Sequence, residues 1–400
     1  MDRRVYLDHA ATTPLDPRVL EAMLPYLRDF WGNPSSLYAE AQEARKGLDW
    51  ARRSVADILG CKPQEVVFTA GGSESDNLAL RGVAYACRQR GNHIVTSAIE
   101  HHAVLHAAER LEQEGFRVTY LPVDRYGFVD LEQLERAVGP ETILVSIMYV
   151  NNEVGTIEPI EEAARIVKAR NPQTVFHTDA VQAVRTLDCN VDRLGVDLLS
   201  IGAHKFYGPK GVGALYVRTR TPLQPQQLGG SQEKRRRAGT ENVPYIVGMA
   251  RAMQLAYEQF DARNAHYRAL RDRMFGEIPQ RVPHVEVTGP TDLARRVSNN
   301  FSCCFRYIEG EAILMALDLQ GVAASSGSAC TSGSLEPSHV LTAVGVPLDL
   351  ARGSVRLTVG KGNTMAEIDH LLAILPGIVS KLRALSPTWS EAAAAPASNP

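Results

Sequence analysis

Seven short, almost continuously apolar segments in the first two thirds of the chain constrain its fold more than any other feature. They are EVVFTA (65–70), HIVTSA (93–98), RVTYLPV (117–123), TILVSIMYV (142–150), TVFHTDA (174–180), VDLLSIG (196–202) and GALYVRT (213–219). Runs of this length are typical of strands covered on both faces. Helical patterns over 75–90, 103–114 and 160–169 separate several of them. The alternation predicts an α/β fold with a large, mostly parallel sheet.

The last third of the chain has a different pattern. A long helical stretch over 247–273 precedes three strand patterns and one helix pattern, at 285–289, 296–305, 354–360 and 310–321. These segments predict a smaller α+β domain. A chain of 400 residues is long enough for two domains. We therefore place a large domain at 16–260 and a small domain at 1–15 and 261–385, and we expect a disordered tail over the Ala-, Pro- and Ser-rich segment 386–400.

Charge and composition argue against several classes of partner. The net charge is −2, and the only basic cluster is Lys234 to Arg237, so nucleic acid is not an expected partner. That cluster is either a solvated loop or an anion clamp at a site or subunit edge. No apolar run reaches the roughly 20 residues that span a bilayer, and the N-terminus lacks a signal-peptide pattern. The six cysteines form no CxxC pair, which predicts reduced thiols and a cytoplasmic protein without a metal site.

Two strand ends carry polar residues suited to ligand binding. Open α/β sheets bind ligands at the carboxyl ends of their strands. Gly72 and Ser73 follow the first strand and lead into a helix, where free N–H groups can hold a phosphate; an ordinary helix N-cap is the alternative. Asp179 ends the strand at 174–180, and a buried carboxylate needs a cationic partner. That partner is either a protonated ring nitrogen or Arg185.

Lys205 completes this set. Among the eight lysines of the chain, Lys205 alone directly follows an apolar strand. A desolvated lysine loses proton affinity and becomes a nucleophile toward carbonyl groups, although a lysine that extends to solvent at the sheet edge is the alternative. A phosphate turn, a carboxylate and a lysine at the ends of different strands together meet the requirements of a pyridoxal-phosphate site.

A run of small residues in the last third carries a cysteine. The segment AASSGSACTSGS (323–334) cannot pack a core, and its composition predicts a mobile loop over about 323–336. Cys330 lies in its middle, and an exposed thiol on such a loop is expected to be reactive; an incidental loop cysteine is the alternative. The remaining cysteines are expected in the core: Cys61, Cys87, Cys189, Cys303 and Cys304.

Eight ordered motifs identify a family. They are WGNPSS (31–36), FTAGGSESDN (68–77), IEHHAV (99–104), VNNEVGTIEPI (150–160), FHTDAVQ (176–182), AHKFYGPKGVGALYVR (203–218), RAGTENV (237–243) and SSGSACTSGSLEP (325–337). With them, the chain resembles cysteine desulfurases of the NifS/IscS type, which belong to the fold-type I (class V aminotransferase) group of pyridoxal-phosphate enzymes. The resemblance extends from residue 5 to about residue 360.

The resemblance implies roles for individual residues. It implies that Lys205, Cys330 and His101 are catalytic: Lys205 holds pyridoxal 5'-phosphate as a Schiff base, Cys330 accepts sulfur, and His101 stacks on the ring and transfers protons. Asn152 and Arg356 would bind the substrate carboxylate. The residues implied to contact the cofactor are Gly72, Ser73, His101, Asn152, Asp179, Gln182, His204, Lys205 and Thr240.

Two further implications concern the phosphate. Thr240 would reach the phosphate of a neighbouring subunit, so a homodimer is expected. The family often has Ser-Gly-His-Lys at the lysine, whereas this chain has Gly202-Ala203-His204-Lys205. The serine contact is therefore missing, and we do not reassign it to Ser200.

The function implied by the resemblance is removal of sulfur from L-cysteine, which leaves L-alanine and a persulfide on Cys330. The sulfur would pass to an acceptor protein such as an iron–sulfur scaffold, or to tRNA thiolation. A selenocysteine lyase or another β-eliminating enzyme on the same scaffold is the nearest alternative. A non-catalytic partner in iron–sulfur assembly ranks lower, because Lys205, Asp179 and His101 are all present.

Overall fold

A computed structural model of the chain describes residues 4–327, 337–387 and 389. The strands, in chain order, are β1 (Val5–Tyr6), β2 (Val66–Thr69), β3 (His93–Ser97), β4 (Arg117–Leu121), β5 (Thr142–Ser146), β6 (Val175–Asp179), β7 (Leu198–Gly202), β8 (Gly213–Val217), β9 (Val285–Val287), β10 (Asn300–Phe305), β11 (Val322–Ala323) and β12 (Ser354–Thr358). Every strand predicted from the sequence forms within its predicted segment.

The described helices are α1 (Pro17–Arg28), α2 (Ala39–Leu59), α3 (Gly72–Cys87), α4 (His102–Gln113), α5 (Leu131–Ala137), α6 (Ile160–Arg170), α7 (Val191–Leu194), α8 (Gln232–Arg235), α9 (Val243–Glu258), α10 (Phe260–Arg281), α11 (Gly310–Leu319), α12 (His339–Ala343), α13 (Leu348–Ala351) and α14 (Met365–Ala384). The three helices predicted between strands of the first two thirds form within a few residues of their predicted bounds.

The large sheet has seven strands in the order β2-β8-β7-β6-β5-β3-β4. β8 is antiparallel to the two strands beside it, β2 and β7, and the other pairs of the sheet are parallel, so the prediction of a mostly parallel α/β sheet is confirmed. Both faces are covered: α3 and α4 pack on one face, and α1, α2, α6 and α9 pack on the other. This double coverage explains the almost continuous apolarity of the strands. The parallel strands end at one edge, where β6 and β7 place Asp179 and Gly202.

A separate core forms around a small antiparallel sheet of order β12-β10-β9. Helices α10, α11 and α14 pack on this sheet together with Val5 and Leu7 from the N-terminus. The pairing of β1 with β11 is parallel, which ties the N-terminus to the segment that precedes residue 328. The domain bounds given above stay a prediction.

The long helix predicted over 247–273 is wrong in one respect. The chain forms two helices, α9 and α10, which meet at Gln259, where the backbone (φ −120°, ψ 23°) leaves the helical region. The guanidinium of Arg263 donates to the carbonyl of Leu255 at 2.8 Å and so binds a carbonyl group near the end of α9. Helical periodicity continues through the break, because the side chains on both sides face apolar cores.

Two predictions concern the ends of the chain and membranes. Among the described residues, no helix combines the length and apolarity that a bilayer span requires. The predicted tail, 386–400, lies outside the described residues apart from residues 386, 387 and 389. Trp389 packs its ring against His284 and Tyr307, with centroids 5.5 and 5.4 Å away.

Candidate active site

Lys205 lies at the end of β7, in a short 3-10 helix over Ala203–Lys205. Its Nζ donates to the carbonyl oxygens of Ala10 and Ala11 at 2.6 and 2.8 Å. The ammonium group is therefore held between the sheet edge and the N-terminal segment. The alternative of a lysine that extends into solvent does not describe this half-buried side chain.

Asp179 ends β6, the strand next to β7. Its side chain is buried, and Oδ1 accepts the Val181 N–H at 2.8 Å. Burial raises the pKa of Asp179, whereas the charge of Lys205 lowers it. Arg185 is not its partner, because Arg185 donates to the carbonyls of His9 and Lys205 at 2.9 and 3.0 Å. A buried carboxylate without an ion pair to Arg185 suits a cationic ring nitrogen.

The predicted phosphate turn lies between β2 and α3. A Cβ added to Gly202 would lie 3.3 Å from the backbone nitrogen of Gly72, so the absence of a side chain at Gly202 lets the end of β7 approach the turn. Ser73 is exposed in the first turn of α3. Ser200 is fully buried and its Oγ bonds the His177 ring at 2.9 Å. The position of Ser200 therefore agrees with leaving it out of the phosphate site.

The two histidines assigned to the cofactor are both neutral at ordinary pH. Nδ1 of His101 accepts the Ala103 N–H at 3.1 Å, so the ring proton of neutral His101 is on Nε2. Burial, with the charge of Lys205, lowers the pKa of His101 to about 4. His204 bonds Thr12 Oγ1 at 3.1 Å, and burial and Lys205 lower its pKa to about 4. Nearby cations favour an anion such as phosphate in this region.

Arg356 enters the site from β12 of the small sheet. Its guanidinium donates to the Asn152 carbonyl at 2.9 Å and to Asp8 Oδ1 at 3.0 Å. Among the described residues, its buried Nε has no hydrogen-bond partner, although buried donors are normally satisfied. That N–H, together with a further N–H of the guanidinium, is suited to a bidentate carboxylate. Gln182, by contrast, donates to the Ala10 carbonyl at 2.9 Å.

Two assignments lie outside this cluster or outside the described residues. Thr240 is exposed in the loop before α9, and its role toward a second subunit stays a prediction. Cys330 lies outside the described residues.

Within the basic cluster, Arg237 pairs with Glu74 of α3 at 2.9 Å, so it is not a simply solvated residue. Of the cysteines expected in the core, Cys61 is only half-buried, and the buried ones are Cys87, Cys189, Cys303 and Cys304.

The N-terminal segment is the part of the site that sequence reasoning missed. Asp8 pairs with Arg356, the Ala10 and Ala11 carbonyls accept from Lys205, and Thr12 bonds His204. The available signal was the motif VYLDHAATTP itself (5–14), which combines a carboxylate with two threonines beside a short apolar run. No residue of that motif received a role. Glu153, a buried carboxylate next to Asn152, was missed in the same way.

The chemistry of the cluster fits pyridoxal phosphate. It combines a lysine amine, a buried carboxylate, a glycine turn at a helix N-terminus and cationic surroundings for phosphate. The described residues contain no group of three or more His, Cys, Asp or Glu side chains arranged to hold a metal ion.

The chain matches the class-V aminotransferase family over residues 5–371 and therefore belongs to that family, whose members are pyridoxal-phosphate enzymes. The match covers the large sheet, the small sheet and every described site residue. Within the family, the chain is a member of the cysteine desulfurase group of the NifS/IscS type.

Full-length relatives support this placement. The chain is 52% identical to cysteine desulfurase IscS of Dictyoglomus turgidum, with 98% of each chain covered. It superimposes on a NifS-like protein with a TM-score of 0.89 at 41% identity, covering 95% of this chain and all of that one. A structure of SspA in complex with cysteine matches with a TM-score of 0.78 at 37% identity, covering 90% of this chain and all of that one.

Proposed function

We propose that this protein removes sulfur from L-cysteine and holds it as a persulfide on Cys330. The observation that carries the proposal is the meeting of Lys205 and Arg356 on one N-terminal segment: Ala10 and Ala11 accept from Lys205, and Asp8 pairs with Arg356. An amine for covalent chemistry and a guanidinium for an α-carboxylate are thereby set at two ends of a short segment. A site that acts on an α-amino acid needs both groups, the amine for the covalent step and the guanidinium to bind the α-carboxylate.

Pyridoxal phosphate would be held by Lys205, with Asp179 at the ring nitrogen, His101 on the ring face, Gln182 at its edge, and the turn at Gly72 and Ser73 with His204 at the phosphate. When bound, it supplies an aldehyde that links to amines and a ring that accepts the electrons released as the α-proton leaves.

The protein residues orient the substrate and move protons. Arg356 would bind the substrate carboxylate through Nε–H and one further N–H, with Asn152 beside it. Lys205 would take the proton from the α-carbon, at a site shielded by the segment around Ala10. His101, neutral and with its proton on Nε2, can donate that proton and later receive one.

The sulfur step is balanced without an external oxidant or reductant. A bond forms between the Cys330 sulfur and the substrate sulfur, the bond between that sulfur and Cβ breaks, and Cβ gains a proton. L-cysteine and a thiol are thus converted to L-alanine and a persulfide. The cysteine named in the SspA complex and the desulfurase names of the relatives support cysteine as the substrate.

Mass spectrometry after exposure of the holoenzyme to L-cysteine tests the proposal. We expect one added sulfur on Cys330, equimolar L-alanine, and loss of both in Cys330→Ala. Cys61→Ala is the matched control. Among the cysteines that the structure describes, Cys61 is half-buried whereas the others are buried, and it has no role in the proposal. Persulfide elsewhere, or unchanged cysteine turnover in Cys330→Ala, would contradict it, and the latter result would favour a lyase.

The proposed partners are a second copy of the chain and a sulfur-acceptor protein such as an iron–sulfur scaffold. The dimer is proposed because Thr240 is exposed and the family resemblance assigns it to the neighbouring subunit's phosphate. Equilibrium sedimentation should give a dimer. Mixing Thr240→Ala subunits with Lys205→Ala subunits tests whether Thr240 of one subunit serves the phosphate site of the other. The cytoplasmic location stays a prediction.

A further inference from the structure

Glu153 is a buried carboxylate to which the proposed chemistry gives no task. It is 4% exposed and lies in the turn of a tight hairpin that is closed by an isolated antiparallel bridge between Val150 and Ile157. The side-chain oxygen of Asn151 accepts the N–H groups of Glu153 and Val154, both at 2.9 Å. The backbone of Glu153 is therefore fixed, and its side chain projects from a rigid turn.

One oxygen of this carboxylate contacts two distant parts of the chain. Ser338 Oγ donates to Glu153 Oε2 at 2.5 Å. A Cβ added to Gly327 would lie 2.4 Å from the same Oε2, so the Gly327 backbone packs directly on the carboxylate. Gly327 and Ser338 flank residues 328–336, which include Cys330.

Both flanks are also tied to site residues. On the first flank, Ser325 and Arg356 exchange two backbone hydrogen bonds: the Arg356 N–H donates to the Ser325 carbonyl at 2.6 Å, and the Ser325 N–H donates to the Arg356 carbonyl at 3.3 Å. On the second flank, Ser338 caps α12 by accepting from Val340 at 3.1 Å. The next residue, His339, donates through Nε2 to the carbonyl of Glu100 at 2.9 Å, directly before His101. Glu153 is the point where the two flanks meet.

We propose that Glu153 is a positioning residue for sulfur transfer. Its carboxylate accepts a hydrogen bond from Ser338 and lies against the backbone of Gly327, so both flanks are kept close to Asn152 and Arg356. Fixing both ends of a chain segment raises the effective concentration of its groups at a nearby target. The inference rests on the proposed function, since it concerns delivery of Cys330 to the substrate sulfur. Binding of cofactor and of cysteine does not require the contact.

The main test is Glu153→Ala in the holoenzyme, with persulfide on Cys330 measured at quenched times after mixing with L-cysteine. We expect the rate of persulfide formation to fall roughly 10- to 100-fold, as for groups displaced by about 1 Å. The visible absorption of the cofactor and the cysteine concentration that half-saturates its spectral change should stay at the parent's values. Glu153→Gln keeps an acceptor oxygen for Ser338, so it should recover most of the rate.

Glu158→Ala is the matched control. Glu158 is equally buried, at 1% exposure, at the other end of the same hairpin, and its carboxylate accepts the Val129 N–H at 3.2 Å. It contacts neither flank, so its variant should form persulfide at the parent's rate. Equal rates in Glu153→Ala and Glu158→Ala would overturn the inference.

Gly327→Ala tests the second contact, including the case in which Glu153→Ala does not fold. The added methyl group would collide with Glu153 Oε2, so the rate should fall in the parent and change little further in Glu153→Ala, which lacks that oxygen. Fully additive effects would contradict the shared contact. If the parent itself forms no persulfide on Cys330, the proposed function fails; if it does and Glu153→Ala matches it, only the role of Glu153 fails.

Discussion

Asp179 ends β6, and Lys205 lies in the short 3-10 helix that follows β7, the neighbouring strand of the large sheet. Arg356, by contrast, reaches the N-terminal segment around Ala10 from β12 of the small sheet. The positions of Asp179 and Lys205 follow from the register of β6 and β7, two strands that are held by helices on both faces of the sheet. Arg356 depends on contacts with Asp8 and Asn152, residues far away in sequence. The groups that we propose for covalent chemistry are therefore placed by adjacent strands of one sheet, and the group that we propose for substrate binding is placed by the assembly of distant segments.

The largest expected effect is on the sheet side. Lys205→Ala would remove the proposed covalent anchor and the proposed base at the α-carbon, so turnover should fall by about a thousandfold or more, with loss of the visible absorption that marks linkage to Lys205. Lys210→Ala is the control, because Lys210 is exposed five residues later and has no assigned role. A coloured Lys205→Ala enzyme with parental turnover would remove Lys205 from the chemistry.

The next effect concerns the other strand of the pair. Asp179→Ala removes the charge opposite the ring nitrogen, and kcat should fall about 100-fold, in the range seen for preorganised electrostatic groups. Asp188→Ala should stay near the parent, because Asp188 is half exposed and pairs with Arg193 at the surface. Steady-state kinetics of both variants decide the point; equal losses would count against the role of Asp179.

On the assembled side we expect a change in KM with less change in kcat. Arg356→Ala leaves Asp8 unpaired and removes the carboxylate ligand, so KM for L-cysteine should rise about 100-fold, while cofactor absorption is retained. Asp8→Asn keeps an acceptor for Arg356 and should change KM by less than about tenfold. Loss of cofactor in Arg356→Ala would show that the two sides are not separable.

The smallest effect is a pH dependence of protein stability due to Glu158. This residue directly follows the hairpin over 150–157, whose turn contains the Arg356 partner Asn152. Burial raises the pKa of Glu158 to about 8 from the ordinary 4.5. Between these values the folded chain binds more protons than the unfolded chain, so this residue's contribution to stability falls as pH rises. Glu158→Gln should therefore gain stability relative to the parent on going from pH about 5 to about 8. Urea unfolding at both pH values measures this, and a constant difference would contradict the assignment.

The same contrast explains what could be predicted from the sequence. The strands, the turn at Gly72, Asp179 and Lys205 were predictable, because apolar runs define strands and residues that follow them fall at one sheet edge. The family motifs added Arg356 and His101. The break at Gln259, the pairing of Asp8 with Arg356 and the double contact of Glu153 were not predicted.

The sequence by itself determined the fold class, the family and the positions of the lysine and carboxylate, since these depend on local periodicity and on motifs within single segments. Only the tertiary structure decided which backbone groups enclose Lys205, that Arg185 serves carbonyls rather than Asp179, and that Glu153 joins Gly327 to Ser338. The physical reason is that these contacts join segments as much as 195 residues apart. Their geometry follows from how two cores pack, and no local pattern encodes it.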